Sequence, residues 1–77
     1  MRIQSLAANQ TVVTLSSGCQ VFFSYETPVA AIFDGVSYKT EQKYSTTTTK
    51  HVNAWLGNGG KNAIVKPQQY FDLLAAN

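Results

Sequence analysis

Between Thr11 and about Ser45 the chain is punctuated at strand length, and beyond Ser45 the spacing of its apolar residues becomes helical. That switch restricts the architecture to strands first and helices afterwards. Thr11-Val-Val-Thr-Leu-Ser16 is β-branched and partly alternating, and Ser17-Gly18 supplies a two-residue turn. Gln20-Val-Phe-Phe-Ser-Tyr25 then returns as a second strand. Glu26-Thr27-Pro28 breaks that strand, because proline has no N–H for a central ladder. Val29-Ala-Ala-Ile-Phe33 reads as a third strand. Asp34-Gly35 is the strongest hairpin signal in the chain, since a type I′ turn needs positive φ at both central positions. A fourth strand is expected from Val36 to about Tyr44. It sets Val36, Tyr38, Thr40, Gln42 and Tyr44 on one side, and Ser37, Lys39, Glu41 and Lys43 on a wet one. Residues 1–8 are expected to form an edge strand or to stay loose.

The helical part begins at a cap. Ser45 or Thr46 can accept a hydrogen bond from the unpaired backbone donors of a first turn. At 100° per residue, Thr48, Val52, Trp55 and Leu56 share one face of a helix over 46–56. Thr46, Lys50 and Asn53 lie opposite, and His51 sits at the boundary beside Trp55. Gly57-Asn-Gly-Gly60 stops the helix, with Gly57 suited to the C-cap. Ala63-Ile-Val65 is a short extended piece, and Pro67 suits a first helical turn. Tyr70, Phe71 and Leu74 then share a face, so a second helix closes the chain. The expected fold is α+β: an antiparallel β-meander of three to four strands, followed by one or two short helices packed on one face. One consideration pulls against a single covered face. Neighbours such as Phe22 and Phe23 point to opposite sides of a sheet, so some rings need another cover, and the terminal helix is the favoured one.

Seventy-seven residues make one domain, near the lower limit for a core without staples. Only 13% of residues are charged, about half the roughly 25% usual for soluble domains. Weak self-repulsion favours a protein partner or self-association. With one cysteine, Cys19, no internal disulfide can form, and a small semi-buried residue is its expected role. The start of the chain has no apolar core long enough for a signal peptide. No run approaches the roughly 18 residues of a membrane span. The cytoplasm is therefore the expected location. The net charge of +2 is uneven. Residues 39–66 carry Lys39, Lys43, Lys50, Lys61 and Lys66 against Glu41 alone. That is a mild electrostatic hint, short of a nucleic-acid signature.

Little in the chain carries chemistry. Glu26, Asp34, Glu41 and Asp72 are scattered, and one histidine with no nucleophile motif makes no triad. Cys19 and His51 do not make a metal site. Gly57-Asn-Gly-Gly-Lys61 lacks the spacing of a phosphate loop and follows a helix rather than opening one. Trp55 is expected in the core, and His51 is expected to stack on it or to bond a threonine. The Thr46–Thr49 run has a bland reading as capping. Its sharper reading is an anion site, since a helix start bears partial positive charge and lies near Lys43 and Lys50. Strand aromatics beside lysines also resemble single-strand binding platforms.

Phe23-Ser-Tyr-Glu-Thr-Pro-Val-Ala30, followed by Lys43-Tyr-Ser-Thr-Thr-Thr-Thr-Lys-His-Val-Asn-Ala-Trp-Leu56, resembles a family of small domains of unknown function encoded largely by bacteriophages. Its pattern runs roughly F-S-Y-x-T-P-V-A, then K-[YW]-S-x-T-T-x-[KR]-H-[IV]-N-x-W-L. The match extends over approximately Val12 to Phe71. The resemblance implies a phage protein in a bacterial cytoplasm, and singles out Ser45, Thr47, Thr48, Lys50, His51, Asn53 and Trp55. It carries over no catalytic residue. The tetra-threonine departs from the family's more varied run, which capping should survive.

The expectation is therefore a non-enzymatic phage accessory protein that binds a host protein or its own copy, with no cofactor, metal or small-molecule substrate. The alternative is a nucleic-acid-binding module using the basic 39–66 region and the helix start at 45–50. Candidate partner- or anion-binding residues are Lys39, Lys43, Ser45, Thr46, Lys50, His51 and Asn53.

Overall fold

The computed structural model describes residues 2–7, 9–57 and 62–76, with the side chain of Ala7 left aside. Six strands and two helices follow one another as β1 (Arg2–Ala7), β2 (Gln10–Thr14), β3 (Gln20–Ser24), β4 (Thr27–Phe33), β5 (Val36–Thr40), α1 (Thr46–Leu56), β6 (Ile64–Lys66) and α2 (Gln68–Ala75). All six strands form one sheet in sequence order. The first five pair antiparallel as a meander. β6 instead runs parallel to β5, matching Tyr38 with Ile64 and Thr40 with Lys66. A parallel neighbour needs a crossover, and α1 provides it. The fold is thus α+β, but the expected three to four strands become a mixed sheet of six. The two additions are the edges: β1, where an edge strand or a loose segment was expected, and β6, close to the short extended piece expected over Ala63–Val65.

The turns account for the hairpins. Asp34 and Gly35 both have positive φ, at 52° and 76°, as the type I′ signal requires. The β3–β4 connection is tighter than expected, because Ser24 pairs with Thr27 across just Tyr25 and Glu26. Tyr25 pays for this with a φ of 59°, a region that favours glycine. Pro28 does not break the sheet. It lies buried inside β4 opposite Phe23, where the register shifts by one residue. A bulge tolerates a missing donor. β2 and β3 each end before the positions expected, at Thr14 and Ser24. β5 ends at Thr40 rather than near Tyr44. There Thr40 Oγ1 turns to accept from the Gln42 amide at 3.1 Å, leaving Lys43 and Tyr44 in the loop to α1.

The sheet is covered on both sides, which corrects the expectation of helices packed on one face. Along β3, Phe22 packs with Val12, Val29, Ala30 and the α1 residues Val52 and Leu56. Its neighbour Val21 packs with Cys19, Ala31 and Phe71 of α2, joined by half-buried Phe23, Tyr70 and Leu74. The terminal helix is therefore the cover that the opposed rings of Phe22 and Phe23 called for. The bulge lets consecutive Val29 and Ala30 both join the α1 cluster, and neither has any exposed surface.

α2 is fastened by polar contacts too. Pro67 precedes the helix as its N-cap residue rather than occupying the first turn. The Gln68 amide donates to the Pro28 carbonyl at 2.7 Å and to Asp72 Oδ1 at 3.0 Å. It also accepts from Thr40 Oγ1 at 2.8 Å. These bonds tie the helix to β4 and β5.

Cys19 is more deeply placed than expected, with 6% of its surface exposed. Loss of water around the thiol pushes its pKa up, so little thiolate is available to react. Alkylation of native protein at pH 8 is expected to be at least about tenfold slower than in denaturant. Equal rates in mass-resolved labelling would contradict the burial of this residue.

Candidate functional site

α1 starts where the sequence placed it, with Ser45 rather than Thr46 as the cap. Ser45 Oγ accepts from the Thr48 amide at 3.2 Å. Thr48, Val52 and Leu56 form the buried stripe. Trp55 is half-buried rather than enclosed, and stacks on Phe22 with ring centroids 4.9 Å apart and planes 14° from parallel. Gly57 closes the helix with its amide donating to the Asn53 carbonyl. Residues 58–60 of the expected glycine stop, and Lys61 with its rejected phosphate loop, lie outside the described residues.

Beneath the first turn lies a hydrogen-bonded cluster linking strand to helix. Ser24 Oγ donates to Thr48 Oγ1 at 3.3 Å and stands 2.9 Å from His51 Nδ1. Ser45 Oγ also reaches Thr48 Oγ1, at 3.4 Å. A hydroxyl has one proton. If Ser24 gives its proton to Thr48, His51 must donate from Nδ1, which selects that tautomer. His51 therefore has a structural partner, but neither of those expected, since it meets Ser24 instead of a threonine or the indole. Its ring also approaches Tyr25, with centroids 6.1 Å apart. Ser24 is 2% exposed, so its hydroxyl faces protein groups. Among the described residues, no buried side-chain nitrogen or oxygen lacks a partner.

Outside this cluster the surface is concave. A cleft of about 330 Å³ has Val29, Val52 and Val65 among its walls, with Lys39, Lys43, Tyr44 and Asn53 around them. A second, of about 300 Å³, shares Val29, Tyr44 and Thr48 with the first and continues to Ser24, Tyr25 and Ser45. Tyr25 and Tyr44 are 50% and 44% exposed. Partial loss of water, and then the Asp72 carboxylate, push the Tyr44 phenol pKa up. It therefore stays a neutral hydrogen-bond donor at physiological pH.

The predicted residues divide accordingly. Lys39, Lys43 and Asn53 share the larger cleft, and Ser45 lines the smaller one while capping the helix. Thr46 and Lys50 are exposed on α1 but line neither, and His51 is half-buried against Ser24. The basic 39–66 region does not become one surface. Lys66 sits over the Tyr70 ring, 5.5 Å from its centroid, with α2 on the other side of the sheet. Ser24, Val29 and Val65 were not among the expected site residues, and Tyr25 and Tyr44 entered only among the strand aromatics. A phenolic or hydroxyl side chain near a turn has no local mark of the helix that will pack beside it.

Among the described residues no helix is long and apolar enough to cross a membrane. Nor does any group of three or more His, Cys, Asp or Glu come together as a metal site. The model of a family of unknown function, DUF8033, matches residues 1–72. No curated protein and no solved structure matches the chain.

Proposed function

We propose that this chain, which belongs to the DUF8033 family, is a non-enzymatic bacteriophage accessory protein that binds a protein partner in a bacterial cytoplasm. The observation that supports this reading is how the motif residues divide around the start of α1. Ser24, Ser45, Thr48 and His51 spend their polar groups on one another. What remains facing outward is a cleft with valine walls, lysines at its rim and an exposed tyrosine. An apolar floor with a basic, phenolic rim suits an acidic segment of a partner that inserts one apolar side chain. Tyrosine at such an edge supplies contact area with little entropy to lose.

Affinity capture from bacterial lysate tests the reading. A reproducible partner is expected with the unaltered protein, and its recovery should fall at least about tenfold with Lys43→Glu plus Tyr44→Ala. Both residues are exposed, so the variant should keep its melting temperature. Capture that ignores the substitutions, or retrieves nothing reproducible, would remove the proposal. The nucleic-acid reading draws support from Lys39 and Lys43 sharing one cleft. It predicts binding near 50 mM salt that weakens with a slope of about −0.9 per phosphate contacted on duplex DNA. A nucleic-acid shift of that kind, lost with the same variant, would replace the protein partner.

A further inference from the structure

We infer that β1 is a docking strand for a second copy of this chain, pairing antiparallel about a two-fold axis near Ile3. The two edges of the sheet are treated differently. β6 is three residues long, is followed by Pro67, and has the Lys66 ammonium drawn over Tyr70. Short length, lysine and proline are the usual means of blunting an edge. β1 has twice that length, no lysine or proline, and one charge, Arg2. A register shift between Ser5 and Ala7 disturbs its far end, yet Arg2–Ser5 pairs without interruption with Thr14–Thr11. On its outer side that stretch pairs with no other strand among the described residues.

Its side chains point the same way. Residues 2–6 are all exposed, with Ile3 at 66%. Ile3 pairs with Val13, and Val13 with Val21. This row passes from a valine enclosed beneath Phe71, through a half-buried one, to an isoleucine in the open. An apolar row that ends in the open at an unpaired edge is what another sheet would extend.

The strand's own sequence fits itself. Facing residues in an antiparallel ladder lie on the same side of a sheet. A two-fold axis perpendicular to the sheet through Ile3 therefore keeps each face continuous. It sets Ile3 against the second copy's Ile3, and Arg2 against the second copy's Gln4, so no like charges face each other. The chain's net charge of +2 opposes the approach weakly. A single strand pair lies at or below the roughly 1,200 Å² that marks small interfaces, so the dimer is a reversible one. This inference goes beyond the proposed partner site. The cleft borders β5 and β6 at the far side of the sheet and stays open in both copies.

Sedimentation velocity on the full chain, from about 5 µM to about 500 µM, tests it, since a homodimer must grow with concentration. The unaltered protein should pass from monomer toward dimer. Ile3→Lys should weaken dimerisation at least about tenfold by setting like charges across the axis. Leu73→Lys, an exposed apolar site on α2, should change nothing. Facing Cα atoms in a ladder lie about 4.5–5.5 Å apart, within disulfide range. Oxidised Ile3→Cys should therefore form a covalent dimer, with buried Cys19 not competing. Circular dichroism would confirm that each variant is folded. A monomer at every concentration would overturn the inference, as would a dimer that Ile3→Lys leaves intact. So would a monomer whose β1 amides become protected only when a foreign peptide is added.

Discussion

Phe71→Ala is expected to cost about 3–5 kcal/mol, the range for truncating an enclosed phenylalanine. A domain of this size has about 4–12 kcal/mol in all, at about 0.05–0.15 per residue. The substitution should therefore remove between about a quarter and all of the stability of the domain. The size of the effect follows from position. Phe71 has no exposed surface and is the one buried residue that α2 offers the sheet. Around it are Val21, Ala31 and Cys19, and two of these are too small to collapse into the space left. Urea denaturation measures the loss directly, with Leu73→Ala as comparison, since its side chain is 61% exposed. That change should stay within about 0.5 kcal/mol. A loss below about 1 kcal/mol for Phe71→Ala would mean that α2 does not cover this face.

Ser24→Ala is expected to cost about 1–3 kcal/mol, several times what one missing hydroxyl contributes in an exposed position. The serine joins strand to helix through both Thr48 and His51, and alanine leaves each with an unmet bond in a poorly hydrated place. A double-mutant cycle separates this from the loss of packing. Ser24→Ala and His51→Ala together should be less destabilising than their sum by about 0.5–1.5 kcal/mol. Nitrogen chemical shifts of the His51 ring should also change, because the bond at Nδ1 sets its tautomer. Additive costs with unchanged ring shifts would show that the 2.9 Å contact does not couple the two residues. The cycle also bears on function. It asks whether the motif histidine supports the cleft from beneath or is available to a partner.

Local signals predicted what local energetics controls. The Asp34-Gly35 turn, the helix over 46–56 and its serine cap are decided within a few residues. In each case a positive φ, a repeat of 3.6 or an unpaired donor leaves few solutions. Pro28 misled for an instructive reason. Its lack of a donor is a local fact, but whether a donor is needed depends on the strand alongside, and a bulge there removes the need. The candidate site divided in the same manner. Asn53 was legible as an outer residue of an amphipathic helix, and Lys43 as an outer residue of the strand expected before it. Tyr25, Val29 and Val65 were not, because they reach the cleft from a hairpin turn and two other strands.

By itself, then, the sequence determined the class of elements, the order of most of them, and the bounds and inward face of α1. These depend on backbone preferences and on the periodicity of side chains, which act over a few positions. Only the tertiary structure decided that the helices take opposite faces of the sheet and that β6 returns parallel to β5. It also decided that Ser24 meets His51 across a separation of twenty-seven residues. Such pairings are chosen by which apolar surfaces can be buried together, and that choice is made by the whole chain at once. The change at Ser45 from strand to helix thus marked where the faces would be joined, and packing alone assigned a partner to each.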